Sequence, residues 1–164
     1  MEQKDALIAE LKNEAVNTRK MLERIPEDKY SWKPHDKSMT IGRLASHIAE
    51  LPVWVNRVLQ ADEFDFATAT MLRNTYEGTA ALLKVFEDRQ SDAINALQNA
   101  SDEMMQETFS VLRGGNIVFA LPRKVMMRNF AFNHLIHHRG QLSVFLRLLD
   151  VPVPGMYGPS ADEK

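Results

Sequence analysis

Residues 122–149 read PRKVMMRNFAFNHLIHHRGQLSVFLRLL, and this stretch decides the fold. Its apolar residues recur at the three- and four-residue spacing of one helical face, and a proline suits a helix's first turn. We therefore predict a helix from about Pro122 to Leu149. Three of the chain's five histidines lie in this stretch: His134, His137 and His138. The same helix thus carries the first candidate site.

Three further stretches show helical periodicity. The first runs from about Gln3 to Arg24. The second begins after Thr40, a residue type that caps helices, and reaches about Gln60. Pro52 lies inside the second stretch and predicts a kink or a helix that restarts there. The third spans residues 75–98.

The connection between the third and fourth helices contains ETFSVLRGGNIVFALP at residues 107–122. Its apolar residues, interrupted by Gly-Gly-Asn, predict two short extended arms around a turn. Four amphipathic helices with one crossover are typical of a helical bundle. We predict one domain over residues 1–164, all-α in class, folded as a four-helix bundle with a long crossover between helices 3 and 4.

Composition narrows the possible functions. Apolar residues make up 45% and charged residues 26% of the chain, and the net charge is −2, so nothing attracts it to nucleic acid or an anionic membrane. The absence of cysteine excludes disulfides, thiolate metal ligands and a cysteine nucleophile. The charged start MEQKDALIAELKNE lacks the apolar core of a signal peptide, and no apolar run approaches a membrane span. We expect a cytoplasmic protein without nucleic-acid or membrane partners.

The histidines have a definite position on the predicted helices. His134 and His138 lie about 40° apart around the helix axis, whereas His137 lies on the flank of that face. On the second helix, His47 falls in an apolar stripe, and Glu50 follows one turn later on its flank. We expect His47, His134 and His138 to point into the bundle and meet there.

Such a meeting favours a metal site. An unpaired buried polar group costs about 1–3 kcal/mol, and a metal ion satisfies one nitrogen of each of three imidazoles. The spacing alone leaves open a second interpretation, in which the three histidines only hydrogen-bond one another. A zincin peptidase site is excluded, because Leu135 stands where its motif needs glutamate. A di-iron site of the ferritin type is excluded as well, because the last helix has no carboxylate.

The opposite face of the last helix carries a second set of residues. Its polar members are Arg128, Arg139, Ser143 and Arg147. We interpret them as a solvated basic face, with a cationic rim for an anionic substrate as the functional alternative. Phe132 and Ile136 lie among them, and either residues 107–122 or another subunit must cover these two side chains.

Two stretches together resemble a known family. They are YSWKPHDKSMTIGRLASHIAEL at 30–51 and NHLIHHRGQLSVFLRLLDVPVPGMYGPSADE at 133–163. The first resembles the W-x-P, loop and histidine-ending helix of the DinB/YfiT-like superfamily, whose members are regarded as metal-dependent enzymes. The second resembles that superfamily's closing H-x-x-x-H-R-G-Q helix.

The resemblance implies a four-helix bundle with one divalent ion, nickel or zinc, on His47, His134 and His138. Gln141 matches the motif's glutamine, and we expect Gln141, Glu50 and His137 to contact the ligands or the substrate. The resemblance also implies a homodimer, and a low-molecular-weight thiol such as bacillithiol or mycothiol as co-substrate. No residue stands out as a catalytic acid or base.

Three functions follow as expectations. The first is a metal-dependent enzyme acting on a small molecule, either a thiol-dependent S-transferase or a hydrolase. The second is a metal- or small-molecule-binding stress-response protein without turnover. The third is a structural bundle whose histidines satisfy one another.

Overall fold

A computed structural model describes residues 3–163, and helices dominate it. They are α1 (Gln3–Leu22), α2 (Ile41–Glu50), α3 (Val53–Gln60), α4 (Thr79–Gln98), α5 (Asp102–Gln106), α6 (Arg123–Met127) and α7 (Asn133–Leu148), with a 3₁₀ turn at Glu27–Lys29 and a π-helical turn at Arg128–Phe132. The bundle consists of α1, α2 with α3, α4, and α6 with α7. Within residues 3–163, none of these helices has the length and apolarity that a bilayer crossing requires.

The prediction of an all-α fold is wrong, because the chain also forms a mixed three-stranded sheet. Its strands are β1 (Glu63–Asp65), β2 (Thr108–Arg113) and β3 (Asn116–Pro122). The central strand β2 pairs with β3 antiparallel and with β1 parallel. The strands β2 and β3 are the two extended arms that the sequence predicts, whereas β1 lies in a stretch without periodicity.

One side chain explains how β1 joins the hairpin. The carboxylate of Asp65 accepts hydrogen bonds from the backbone N–H groups of Ala67 (2.8 Å), Gly114 (2.9 Å) and Gly115 (2.7 Å). Both glycines have positive φ, 62° and 76°, as the two-residue hairpin turn requires. These contacts tie the end of β1 to the hairpin tip, and a three-residue strand leaves no pattern by which to predict it.

The second bundle helix follows its sequence signals closely. The hydroxyl of Thr40 accepts from the backbone N–H of Arg43 at 3.2 Å, as an N-cap does. Pro52 separates α2 from α3, so the helix restarts there as predicted. Any side chain at Gly42 would come within 2.7 Å of Tyr30, so this glycine lets the preceding connection lie directly against α2.

The sequence predicts that His134 and His138 lie on the core-facing stripe of α7, but the buried stripe begins one residue later, at Leu135. Leu135, Leu142 and Leu146 are buried, whereas His134 and His138 lie on the adjoining stripe and are partly buried. The shift has a physical reason, because α7 packs against α1 as well as against α2.

The face of α7 opposite the histidines is therefore not fully solvated, and the prediction for Arg139 is wrong. Arg139 is 3% exposed; its guanidinium pairs with the carboxylate of Glu14 at 2.6 Å and donates to the hydroxyl of Thr18 at 3.1 Å. Phe132 is buried within the single chain as well. Arg128 and Arg147 do lie at the surface, each paired with a carboxylate.

Candidate metal centre

Two neighbouring helices bring three histidines together at one edge of the bundle. His47 comes from α2, and His134 and His138 come from successive turns of α7. Each offers one ring nitrogen, and these three atoms all lie within 4.8 Å of one another. The Nε2 atoms of His47 and His134 are 3.4 Å apart. Two nitrogens bound to one tetrahedral zinc ion, with bonds of about 2.0–2.1 Å, are separated by about 3.3–3.4 Å.

Gln141 fixes the orientation of one ring. Its Oε1 lies 2.7 Å from Nδ1 of His138. Because an amide oxygen can only accept, Nδ1 carries the proton and Nε2 keeps its lone pair free for a metal. The amide nitrogen of Gln141 donates to Nε2 of His137 at 3.1 Å. His137 itself is exposed and lies outside the cluster, as its flank position predicts.

The electrostatic environment keeps the three imidazoles neutral. Burial, together with the neighbouring His138, His134 and Arg43, lowers the pKa of His47 to about 3. Burial also lowers the pKa of His134 and of His138. Neutral imidazole is the form that binds metal. A cluster of three neutral imidazoles without carboxylate or thiolate fits zinc, nickel or a similar divalent ion.

Glu50 belongs to a different set of contacts. It is 2% exposed, and it is not one of the residues whose ligand atoms converge. Its Oε1 accepts hydrogen bonds from Nδ2 of Asn74 (2.9 Å) and from the hydroxyl of Tyr76 (3.1 Å). Its Oε2 is buried without a hydrogen bond among the described residues, and the guanidinium of Arg43 lies 3.8 Å away.

These contacts fasten the segment 66–78 against α2. Arg43 donates to the backbone carbonyls of Leu72 and Asn74, each at 3.3 Å, and the hydroxyl of Ser46 accepts from the backbone N–H of Tyr76 at 2.9 Å. The cavity that remains between this segment, His47 and Glu50 measures about 20 Å³, enough for about one water molecule. The site is closed on this side.

Sequence reasoning missed the groups that hold this closed side. Arg43 stands one helical turn before His47, so its position on α2 is a usable signal. Asn74 and Tyr76 lie in a segment without periodicity, and nothing in their local sequence links them to Glu50. Glu50 lies one helical turn after His47, where the sequence places it. Its hydrogen bonds, however, go to residues of the segment 66–78.

Comparison with known proteins identifies relatives of this chain. The sequence profile of the DinB family matches residues 1–164. The uncharacterized protein YrdA of Bacillus subtilis is 25% identical over 159 residues, which cover 92% of this chain and 85% of YrdA. The uncharacterized protein YjoA of the same organism is 27% identical over 135 residues, covering 79% of this chain and 80% of YjoA.

Solved structures show the same fold. A DinB-like protein from Bacillus cereus superposes with a TM-score of 0.70 at 22% identity, covering 89% of this chain and 92% of that one. The structure of YjoA from Bacillus subtilis gives a TM-score of 0.69 at 17% identity, with 97% and 99% covered. Together with the match over the whole sequence, these similarities show that the chain belongs to the DinB family.

Proposed function

We propose that this protein is a divalent-metal-dependent enzyme, acting as a low-molecular-weight-thiol S-transferase or as a hydrolase of a small molecule. One observation carries the proposal: three neutral imidazole nitrogens within 4.8 Å of one another, on His47, His134 and His138. Of the described residues, these are the ones whose histidine or carboxylate atoms converge in this way. The resemblance to thiol-using members of the superfamily supplies the reaction class.

The residues around the cluster have separable roles in this proposal. Gln141 holds His138 through Nδ1, which leaves Nε2 as the free ring nitrogen. Glu50 and Arg43 hold the segment 66–78 over one flank, where a cavity of only about 20 Å³ remains. A divalent ion held by the three histidines would supply Lewis acidity and would lower the pKa of a water or thiol bound to it.

The two candidate reactions differ in the nucleophile. In the transferase, the thiol sulfur forms a bond to an electrophilic carbon, the leaving group departs with its bonding electrons, and the thiol proton passes to solvent. In the hydrolase, the oxygen of a water molecule forms the bond to the electrophilic carbon, the leaving group departs with its bonding electrons, and a water proton passes to solvent. Zinc and nickel both suit the three imidazoles, and we propose one such ion per chain.

Cobalt substitution tests whether a thiol reaches the cluster. Cobalt-loaded protein is titrated with 2-mercaptoethanol while its visible spectrum is recorded, and turnover is followed with zinc-loaded protein, the same thiol and 1-chloro-2,4-dinitrobenzene. The transferase predicts a sulfur-to-cobalt charge-transfer band and release of chloride, both lost in His138→Ala. An unchanged spectrum with no chloride release from this or other aryl and alkyl halides contradicts the transferase.

A non-catalytic binding protein is the second candidate, and one observation favours it. Within residues 3–163, the polar groups beside the cluster are already engaged: Gln141 holds two histidines, and Glu50 holds Asn74 and Tyr76. The remaining oxygen, Oε2 of Glu50, has no hydrogen bond among the described residues, but it is buried 3.8 Å from the guanidinium of Arg43 rather than open to a substrate. This candidate predicts tight metal binding and a thiol-sensitive cobalt spectrum, but no turnover of any electrophile or ester.

We also propose a homodimer, which rests on the resemblance to the superfamily. The burial of Phe132 within one chain removes the hint that its position in the sequence offered. Light scattering on the eluting peak of a sizing column gives the mass directly. A mass of one chain, 18.7 kDa, would contradict the dimer.

A further inference from the structure

A second, larger cavity lies beside Gln141, the residue that holds His138, on the side away from Glu50. It measures about 400 Å³, within the usual size of small-molecule sites. Its walls come from the connection before α2 (Lys37 and Met39), from Leu44 on α2, and from α7. Leu44 stands three residues before His47 and Glu50 three residues after it, so the two lie about 4.5 Å to either side along the helix axis.

Gln141 connects this cavity to the cluster. The side chain lines the cavity, and its Oε1 also holds Nδ1 of His138 at 2.7 Å. Val144 and Phe145 continue the same wall one turn further along α7. The ring of Phe145 is held edge-on by Trp32, with centroids 5.7 Å apart, so this wall is fixed by packing. A ligand in the cavity would therefore contact Gln141, the residue that holds the candidate metal ligand His138.

The lining has a distinct chemistry. Met39, Val144 and Phe145 offer apolar surface, and Val144 is 57% exposed to solvent. Gln141 is already engaged by two histidines. Lys37 is the charged residue of the lining, and its ammonium has no carboxylate partner in the part of the chain that the structure describes. Lys33, in the same connection, pairs with Asp36 at 3.3 Å.

We infer that this cavity is the substrate pocket of the candidate metal centre, and that it takes a small organic acid. The apolar part of the ligand packs on Met39, Val144 and Phe145, and its carboxylate pairs with Lys37. The inference rests on the proposed function, and it adds the substrate class: an apolar carboxylate that enters from the Gln141 side.

Binding of 3-phenylpropanoate to the zinc-loaded full chain tests this inference. Methyl-¹³C methionine labelling gives a signal for Met39, assigned with Met39→Leu, and the neutral 3-phenylpropanamide is the matched ligand. We expect a saturable shift of the Met39 signal with the acid. Lys37→Met should weaken binding about 3- to 5-fold, the range of an exposed ion pair. The neutral amide should bind the unaltered chain about 3- to 5-fold more weakly than the acid does.

Two further variants sharpen the result. Lys33→Met removes a neighbouring lysine that already has a partner, and it should leave the affinity unchanged. Val144→Trp fills the cavity from an exposed position and should abolish the Met39 shift. An unshifted Met39 signal, or equal affinity in Lys37→Met and the unaltered chain, would overturn the inference.

The zinc content of each sample separates the two proposals. A chain that holds zinc but leaves Met39 unshifted overturns the pocket and leaves the metal centre standing. A chain that holds no zinc overturns the metal centre, whatever the Met39 signal does.

Discussion

The two sides of the histidine cluster differ in construction. On the Glu50 side, a buried carboxylate, an arginine and a segment without regular structure leave a cavity of about 20 Å³. On the Gln141 side, a cavity of about 400 Å³ opens beside Gln141, whose amide nitrogen also contacts the exposed His137. The Glu50 side is built to be ordered and closed, and the Gln141 side to be reached. Substitutions on the first should therefore change stability, and those on the second should change binding.

The largest effect is expected for Glu50→Ala. The change leaves Asn74 and Tyr76 without their shared acceptor and Arg43 without its nearest carboxylate, so we expect a loss of about 2–3 kcal/mol in the free energy of unfolding. Urea unfolding of the metal-free protein measures it. Glu50→Gln keeps an acceptor and should lose less. A loss below about 0.5 kcal/mol in Glu50→Ala would show that the closed side does not depend on this carboxylate.

Gln141→Ala should show the reverse pattern. Without the amide oxygen, His138 is free to rotate and to change tautomer, so zinc affinity should fall about 10- to 100-fold. The unfolding free energy of the metal-free protein should change by less than about 0.5 kcal/mol. Competition against a chromogenic chelator gives the affinity, with Ser143→Ala on the same helix as control. Equal zinc affinity in both variants would contradict the role of Gln141.

The metal-free protein should lose stability as the pH falls below neutrality. In the unfolded chain His47 binds a proton near pH 6.5, but in the folded protein its pKa is about 3, so the unfolded state gains protons first. The stability that depends on neutral His47 is fully present above about pH 6.5 and is lost progressively as the pH falls toward 3. Allowing for solvent screening, we expect the free energy of unfolding to fall by about 1 kcal/mol between pH 7 and pH 5.

The His47→Asn variant is the control for this pH dependence. Its unfolding free energy, measured in urea at each pH, should fall less steeply between pH 7 and pH 5 than that of the unaltered chain. Parallel curves for the two proteins would mean that burial does not hold His47 neutral.

The smallest effect is expected for His137→Ala. This side chain is exposed; it contacts the amide nitrogen of Gln141 at 3.1 Å, and its ring lies edge-on to that of His138 with centroids 4.9 Å apart. Zinc affinity should change by less than about 3-fold, which is under 1 kcal/mol. A loss as large as that of Gln141→Ala would mean that His137 takes part in holding the ion.

The sequence predicted those parts of the molecule that repeat at a fixed period. The helical spacing located the bundle helices, and Thr40 and Pro52 marked the ends of α2. The same spacing predicted that His47 meets His134 and His138. Asp65 shows where this reasoning stops. A three-residue strand has no period, and this one is tied by its own carboxylate to the backbone N–H groups of a distant turn, which adds a third strand to the hairpin.

Arg139 shows a second limit. Its charge predicts an exposed position, but Glu14 and Thr18 of α1 provide partners that allow its burial. Only the packing of α7 against α1 reveals those partners. The same holds for Glu50, whose partners lie in the aperiodic segment 66–78.

Metal content tests the central claim most directly. The tag-free protein, reconstituted with zinc or nickel and freed of excess ion, is measured by plasma mass spectrometry beside His134→Ala and His137→Ala, with circular dichroism to show that all three are folded. The three-histidine centre predicts about one ion per chain in the unaltered protein and in His137→Ala, and none in His134→Ala. No ion in the unaltered protein with either metal, or full occupancy in folded His134→Ala, would contradict it.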